Sequence, residues 1–205
     1  MTRIIAGQAG GRRLQTPKGS LTRPTSDRVR EALFSAVESW AGSLQDLRFL
    51  DLYAGSGAVG LEAWSRGASA VLLVESDRRT ADLIKANARE IGCGVADVRA
   101  RYVMGVLSEA PPHPFDVVFA DPPYPLEDDA VAGDLALLVD GGWLADDALV
   151  VVERSSRSPR PVLPPGLEPL PGKRGERRYG ETTLWLAECF ADSLDGPDGP
   201  EAGGD

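Results

Sequence analysis

Short apolar runs alternate along the chain with stretches whose apolar residues recur every three or four positions. The runs at 49–53, 70–75, 98–103, 117–120, 149–153 and 182–188 have the length and continuity of buried strands. Between them, 57–66, 79–91 and 129–139 carry the helical period. Upstream, Val29, Ala32, Leu33, Ala36, Val37 and Trp40 keep that spacing behind Ser26, with Asp27 at the positive end of the predicted helix and Gly42 placed to stop it. Two strand-like pieces, 3–6 and 12–16, flank Gly10 and Gly11 and predict a small hairpin. Residues 155–171, rich in Ser, Arg and Pro, predict an irregular connection. From Ala191 the chain reads DSLDGPDGPEAGGD, too polar to bury a core, and disorder is expected there.

Alternating strands and helices predict an α/β fold, a mostly parallel sheet with helices on both faces. Right-handed crossovers gather the carboxyl ends of the parallel strands on one rim, where open α/β sheets bind their ligands. Asp51 to Gly57, Glu75 and Asp121 all fall on that rim. Three parts are expected: a basic hairpin extension over 1–24, a main domain over 25–190 and an acidic tail over 191–205. The 205 residues suffice for one such domain and would cramp two.

Charge and rare residues narrow the function classes. No run approaches the roughly 20 apolar residues that span a bilayer, and Met1 to Gly10 has no apolar leader, so a cytoplasmic protein without a membrane partner is expected. Cys93 and Cys189 stand far apart and His113 is the single histidine, which argues against a metal centre or disulfide framework and leaves little for a Ser/His/Asp triad. His113, within PPHPF, reads as a loop residue. The net charge is −9, yet residues 1–30 carry seven basic side chains against Asp27 alone, and 191–205 carry five acids and no base. Salt screens charges beyond roughly 10 Å, so a phosphate close to the front would meet positive charge. Lys173 to Arg178, KRGERR, is a second basic cluster.

DLYAGSGAVG places Gly55, Gly57 and Gly60 in G-x-G-x-x-G spacing between a strand and a helix, so that backbone can approach a ligand. Glu75, 20 residues beyond Gly55, suits the hydroxyls of a ribose. These features fit NAD as well as any nucleoside cofactor. Asp51 tilts the choice, because a carboxylate there repels a pyrophosphate and suits the cationic amino-acid end of S-adenosylmethionine, which carries no phosphate. The plainer reading is a turn needed only for tight packing, with Asp51 capping local amides.

VVFADPPYPL sets Asp121, Pro122, Pro123 and Tyr124 directly behind a buried strand. Proline fixes φ and lacks the amide hydrogen a sheet would use, so the chain leaves the ladder as a stiff elbow. Methyl transfer to a ring-attached amine gives each residue a task. The Asp121 carboxylate and Pro122 carbonyl accept the amine hydrogens, the prolines fix those acceptors in advance, and the Tyr124 ring stacks on a base taken out of its helix. In the plainer alternative Asp121 makes an Asx turn and Tyr124 packs.

The order DLYAGSG, VESD, DPPY resembles a class I S-adenosylmethionine-dependent methyltransferase acting on an amino nitrogen. More closely, GGRRL, RPTSDRVREALF, DLYAGSGAVGLEAWSRGA, VLLVESD, DPPY and KRGERRYGETTLWL resemble the bacterial 16S rRNA guanine-N2 methyltransferase family of the RsmD type, from about Arg3 to Glu188. The resemblance implies a Rossmann-like, seven-stranded fold and methylation of guanine 966. It also implies S-adenosyl-L-methionine held by Asp51, Tyr53, Gly55, Ser56, Gly57, Glu75 and Ser76. Where the family usually carries Asp or Asn to meet the adenine amine, this chain has Tyr102 and Val103, so backbone or aromatic contact is expected there. Arg12, Arg13, Arg23, Thr25, Arg28, Arg30, Arg174, Arg177 and Arg178 are the expected RNA contacts. The bland reading has these arginines solvating exposed faces and pairing with neighbours such as Glu31 or Asp27. The expected partner is 16S rRNA within the small ribosomal subunit, the chain acting as a monomer without metal. Adenine-N6 or protein glutamine methylation, an NAD-dependent dehydrogenase and a non-catalytic RNA-binding module stay open as rivals; the dehydrogenase leaves DPPY without a task.

Overall fold

The apolar runs become the strands of a single twisted sheet. In the computed structural model residues 2–17, 26–123 and 126–190 are described. Arg23, Thr25, Tyr124, the boundary expected at 24/25 and the tail from Ala191 lie outside them. In chain order the elements are β1 (Thr2–Arg3), β2 (Arg13–Leu14), α1 (Asp27–Ala41), β3 (Arg48–Leu52), α2 (Ala58–Ser65), β4 (Ala70–Glu75), α3 (Arg78–Ile91) and β5 (Ala96–Ala100). There follow α4 (Val103–Leu107), β6 (Phe115–Ala120), α5 (Asp128–Asp140), β7 (Leu144–Ser155), β8 (Leu167–Pro169), a 3-10 turn (Gly172–Arg174), β9 (Glu176–Tyr179) and β10 (Thr182–Cys189).

Seven strands cross the sheet in the order β5-β4-β3-β6-β7-β10-β8, and β9 also pairs with β10. The first five are mutually parallel and β10 is antiparallel to β7. β8 and β9 share the outer edge, each pairing with a different half of β10. Side chains alternate across the pleat, so Phe49, Leu73, Phe119 and Val151 face α1, α2 and α3, while Leu50, Leu72, Val118 and Val150 face α4 and α5. Helices cover both faces, as the pattern predicted.

Local signals explain the element ends. Ser26 caps α1, its hydroxyl accepting the Val29 N–H at 3.3 Å, and Gly42 ends the helix at φ 78°. Asp77 caps α3 in the same way, accepting the Thr80 N–H at 2.8 Å. Three expectations are corrected. The strand expected over 98–103 ends at Ala100; Val103 opens α4, and its side chain is buried with Val106 and Leu107. The stretch 155–171 is not wholly irregular, since Leu167–Pro169 pairs with β10, and half of KRGERR lies in β9. The hairpin pairs over only two residues per strand, Thr2 with Leu14 and Arg3 with Arg13.

The N-terminal arm shares a core with α2 and α3 through Ile4, Ala9, Leu14, Leu61, Ala88 and Ile91. Its polar anchor is Glu62, fully buried in α2. The Glu62 carboxylate accepts the Ile5 N–H at 2.6 Å, the Ala6 N–H at 2.9 Å and the Arg66 Nε–H at 2.9 Å. Arg30, whose side chain is also fully buried, stands 3.9 Å from the same carboxylate and donates to the Arg3 carbonyl and the Thr2 hydroxyl. Arg30 therefore cannot reach an external phosphate; it ties β1 to α1. That corrects its expected RNA role. Glu62→Ala is expected to cost about 3 kcal/mol or more, because it strands two arm amides and leaves Arg30 without its buried counterion. Urea unfolding measures it, and a loss below about 1 kcal/mol would show that the anchor contributes little.

Candidate active site

Register alone brings three acids together. Asp51 pairs across the sheet with Leu73 and Phe119, and Leu52 with Val74 and Ala120. Asp51, Glu75 and Asp121 thus occupy alternate positions on the face that supplies Phe49, Leu73 and Phe119 to the core. Apolar in its lower rows, this face turns acidic in its last two rows at the carboxyl rim. Glu153, buried beside the Asp121 position on β7, continues the row.

Asp51 is buried, and its Oδ2 accepts the Gly60 N–H at 2.8 Å. Burial pushes its pKa up from 3.8 to about 8; the Gly60 bond opposes this, while the charges of Asp121 and Glu75 add to it. The Glu75 carboxylate accepts the Gly55 N–H at 3.0 Å and the Asp77 N–H at 2.8 Å, linking the glycine loop to the start of α3. Gly57 has φ 77°, and a Cβ on it would stand 2.7 Å from the Ile84 methyl. A Cβ on Gly60 would meet the Leu73 side chain at 2.7 Å, so α2 lies against β4 only because Gly60 is bare. The loop is lined by backbone and carboxylates, with no basic side chain among Asp51 to Gly60. Such a donor set fits a ligand with a positive end and hydroxyls, and disfavours a pyrophosphate.

Asp121 is half-buried and Pro122 buried directly after β6, and the Pro123 carbonyl accepts the Leu126 N–H at 2.8 Å, closing the elbow. Ser76 is exposed next to Glu75, and Ser56 is half-buried between Gly55 and Gly57. Tyr102 projects at 78% exposure just before α4. Val103, by contrast, can offer a ligand only its backbone, since its side chain belongs to the core.

Two features beside the site go beyond the sequence reading: the conformation and partner of Tyr53, itself expected at the cofactor, and the presence of Asn87. Tyr53, next in register to Asp121, adopts φ 64°, rare for a side chain of its size, and its hydroxyl donates to Asp134 of α5. Burial and that bond raise the phenol's pKa. Asn87 of α3, fully buried, donates to the Ser56 carbonyl at 3.3 Å. Its signal was present: Asn87 falls three residues after Ile84 and four before Ile91, on the helix's apolar stripe.

Of the expected RNA contacts, Arg13 and Arg28 are exposed, Arg12 is exposed with one bond to the Glu90 carbonyl at 2.6 Å, and Arg174 is exposed on the 3-10 turn. Arg177 is half-buried, and the exposed Arg178 pairs with Glu176 at 2.6 Å. Register sets Arg177 and Arg178 across β10 from Glu153 and Arg154, level with the acidic rim. A polar recess of about 380 Å³ lined by Gln8, Gln45, Ser65, Arg66, Gly67 and Ala68 lies at the opposite end of the strands. Its Arg66 is already paired with Glu38 and Glu62, so the rim, not the recess, carries the candidate chemistry. His113 is half-buried against Phe115, 4.8 Å between ring centres, away from the rim.

A parallel sheet in this order, closed by an antiparallel strand and bearing an acidic glycine-loop rim, defines a Rossmann-like methyltransferase fold. The family model described as Conserved hypothetical protein 95 matches residues 2–188, and the chain belongs to that family, the RsmD type. Ribosomal RNA small subunit methyltransferase D of Escherichia coli strain K12 is 40% identical over 163 residues, 79% of each chain. Its namesake from Haemophilus influenzae is 36% identical over 160 residues, 77% of this chain and 80% of that one. The solved structure of yhhF from Escherichia coli matches with a TM-score of 0.80 at 35% identity, over 92% of this chain and 98% of that one.

The raised pKa of Asp51 has a signed consequence. Between about pH 4 and 8 the folded protein retains a proton that the unfolded chain has released, so stability falls as pH rises through that window. Asp51→Asn keeps an oxygen for Gly60 and removes the titration. Its stability relative to the native protein should therefore grow with pH, by up to about 1.4 kcal/mol per unit, in urea melts from pH 4 to 8. Parallel curves would mean that Asp51 is ionised throughout.

Proposed function

We propose that the protein transfers a methyl group from S-adenosyl-L-methionine to the exocyclic N2 of guanine 966 in 16S rRNA. The observation that carries this reading is the convergence of Asp51, Glu75 and Asp121 on one face of the rim, beside a backbone-lined glycine loop and ahead of two prolines. When bound, S-adenosylmethionine supplies an electrophilic methyl on a sulfonium that leaves as a thioether. Asp51 would face its ammonium through the glycine-loop backbone, and Glu75 its ribose hydroxyls. Tyr53, Gly55, Ser56, Gly57 and Ser76 would border it, with Tyr102 and the Val103 backbone near its base.

Asp121 and the Pro122 carbonyl accept the two hydrogens of the guanine amine and turn its lone pair out of the ring plane toward the methyl. Asp121 then stands ready for the proton that nitrogen sheds as its bond to carbon forms. The stiff elbow fixes both acceptors before the base arrives, so orientation rather than a strong base lowers the barrier. Tyr124, Arg23 and Thr25, outside the described residues, keep their sequence-derived roles in base stacking and RNA contact. Arg12, Arg13, Arg28, Arg174, Arg177 and Arg178 would meet RNA phosphates. The names of the relatives support ribosomal RNA as the substrate and the small subunit as its setting.

Mapping methylated nucleotides by mass spectrometry in cells with and without the protein tests the assignment. Loss of one N2-methylguanine from 16S rRNA is expected; loss of a methyl from adenine or from protein instead would replace it. Asp121→Ala should lower turnover about a hundredfold or more while S-adenosylhomocysteine binds within a few-fold of its native affinity. Binding lost in step with turnover in calorimetry would make Asp121 a cofactor ligand.

A further inference from the structure

Helix α3 touches both the proposed cofactor loop and the basic N-terminal arm, and one side chain bridges the two. Asn87 Oδ1 accepts the Gln15 N–H at 2.9 Å, and its Nδ2 donates to the Gln15 carbonyl at 2.9 Å, so a single buried amide grips one residue of the arm as a neighbouring strand would. The same Nδ2 donates to the Ser56 carbonyl at 3.3 Å, between the two glycines of the loop. Asn87 is fully buried, and both amide hydrogens and the oxygen are engaged. Ile84, one turn earlier, presses against Gly57, and at the start of α3 the Asp77 N–H shares the Glu75 carboxylate with the Gly55 N–H. Arg12 fixes the arm again, through the Glu90 carbonyl near the end of the same helix.

The amide is planar and its oxygen and nitrogen move together, so a shift of the Ser56 carbonyl reorients both bonds to Gln15. Arg12 and Arg13 stand three and two residues ahead of Gln15. We propose that Asn87 is a positioning residue that couples the glycine loop to the basic arm, so that a ligand ordering the loop and RNA held by the arm raise each other's affinity by the same factor. This rests on the proposed use of the loop for S-adenosylmethionine and of the arm for RNA.

Amide hydrogen exchange on the full chain, with and without saturating S-adenosylhomocysteine, reads the link without RNA. Exchange of the Gln15 N–H should slow about fivefold or more on binding. Asn87→Asp keeps the oxygen that accepts from Gln15 and loses both donations; it should still bind the ligand by calorimetry while the response at Gln15 disappears. Ligand bound with Gln15 exchange unchanged, or an Asn87→Asp protein with the full response, would overturn the coupling and leave the proposed activity standing. Should Asn87→Asp fail to melt cooperatively, the native protein decides alone: a 16S rRNA transcript must tighten S-adenosylhomocysteine by the factor with which that ligand tightens the transcript, and the absence of mutual tightening refutes the link. A native protein that binds no S-adenosylhomocysteine would instead sink the cofactor reading, and this inference with it.

Discussion

Parallel strands in register cannot scatter their last residues. Once Leu52, Val74 and Ala120 lie side by side, Asp51, Glu75 and Asp121 must share one face within the same end of the sheet, Asp51 buried and the other two half-buried. Like charges in a low-dielectric setting repel, and the chain answers in two ways. Backbone N–H groups of Gly55, Gly60 and Asp77 are turned onto the carboxylates, and Asp51 holds on to a proton. Both answers leave the rim short of positive charge. In the proposed function the ammonium of the ligand supplies it.

The glycine loop follows from that arrangement. Its backbone must reach the acids, which Gly60 permits by letting α2 lie on Leu73 and Gly57 by taking a left-handed turn against Ile84. What presses the loop into place comes from behind: α3 through Ile84 and Asn87, and α5 through the Asp134 partner of Tyr53. Farther down, Glu62 and Arg30 fasten the arm to the body as a buried charge cluster, with Asp27 at its edge. Arm and loop are thus joined through helices rather than through the surface.

Much of this was legible in the sequence. The alternation of runs and periods implies the α/β architecture, and the positions of Asp51, Glu75 and Asp121 at strand ends imply a common rim. The end of β5 was missed because Val98 to Val103 keeps alternating, and only the packing of Val103 with Val106 and Leu107 turns it into helix. Arg30 was misjudged because an arginine among arginines reads as surface. Its partner gave a clue, since Glu62 is a lone acid in the otherwise apolar AVGLEAWS. The partnerships of Tyr53 with Asp134 and of Asn87 with Gln15 span 81 and 72 residues, and nothing local announces them.

The claim that the rim is built to receive a cation is tested most directly by counting protons on binding. Calorimetry of S-adenosylhomocysteine near pH 7, in buffers of different ionisation enthalpy, should show net proton release as its ammonium stabilises ionised Asp51, and little release with methylthioadenosine, which lacks the amino-acid end. Equal proton release by the two compounds, or none by either, would contradict the electrostatic role given to Asp51.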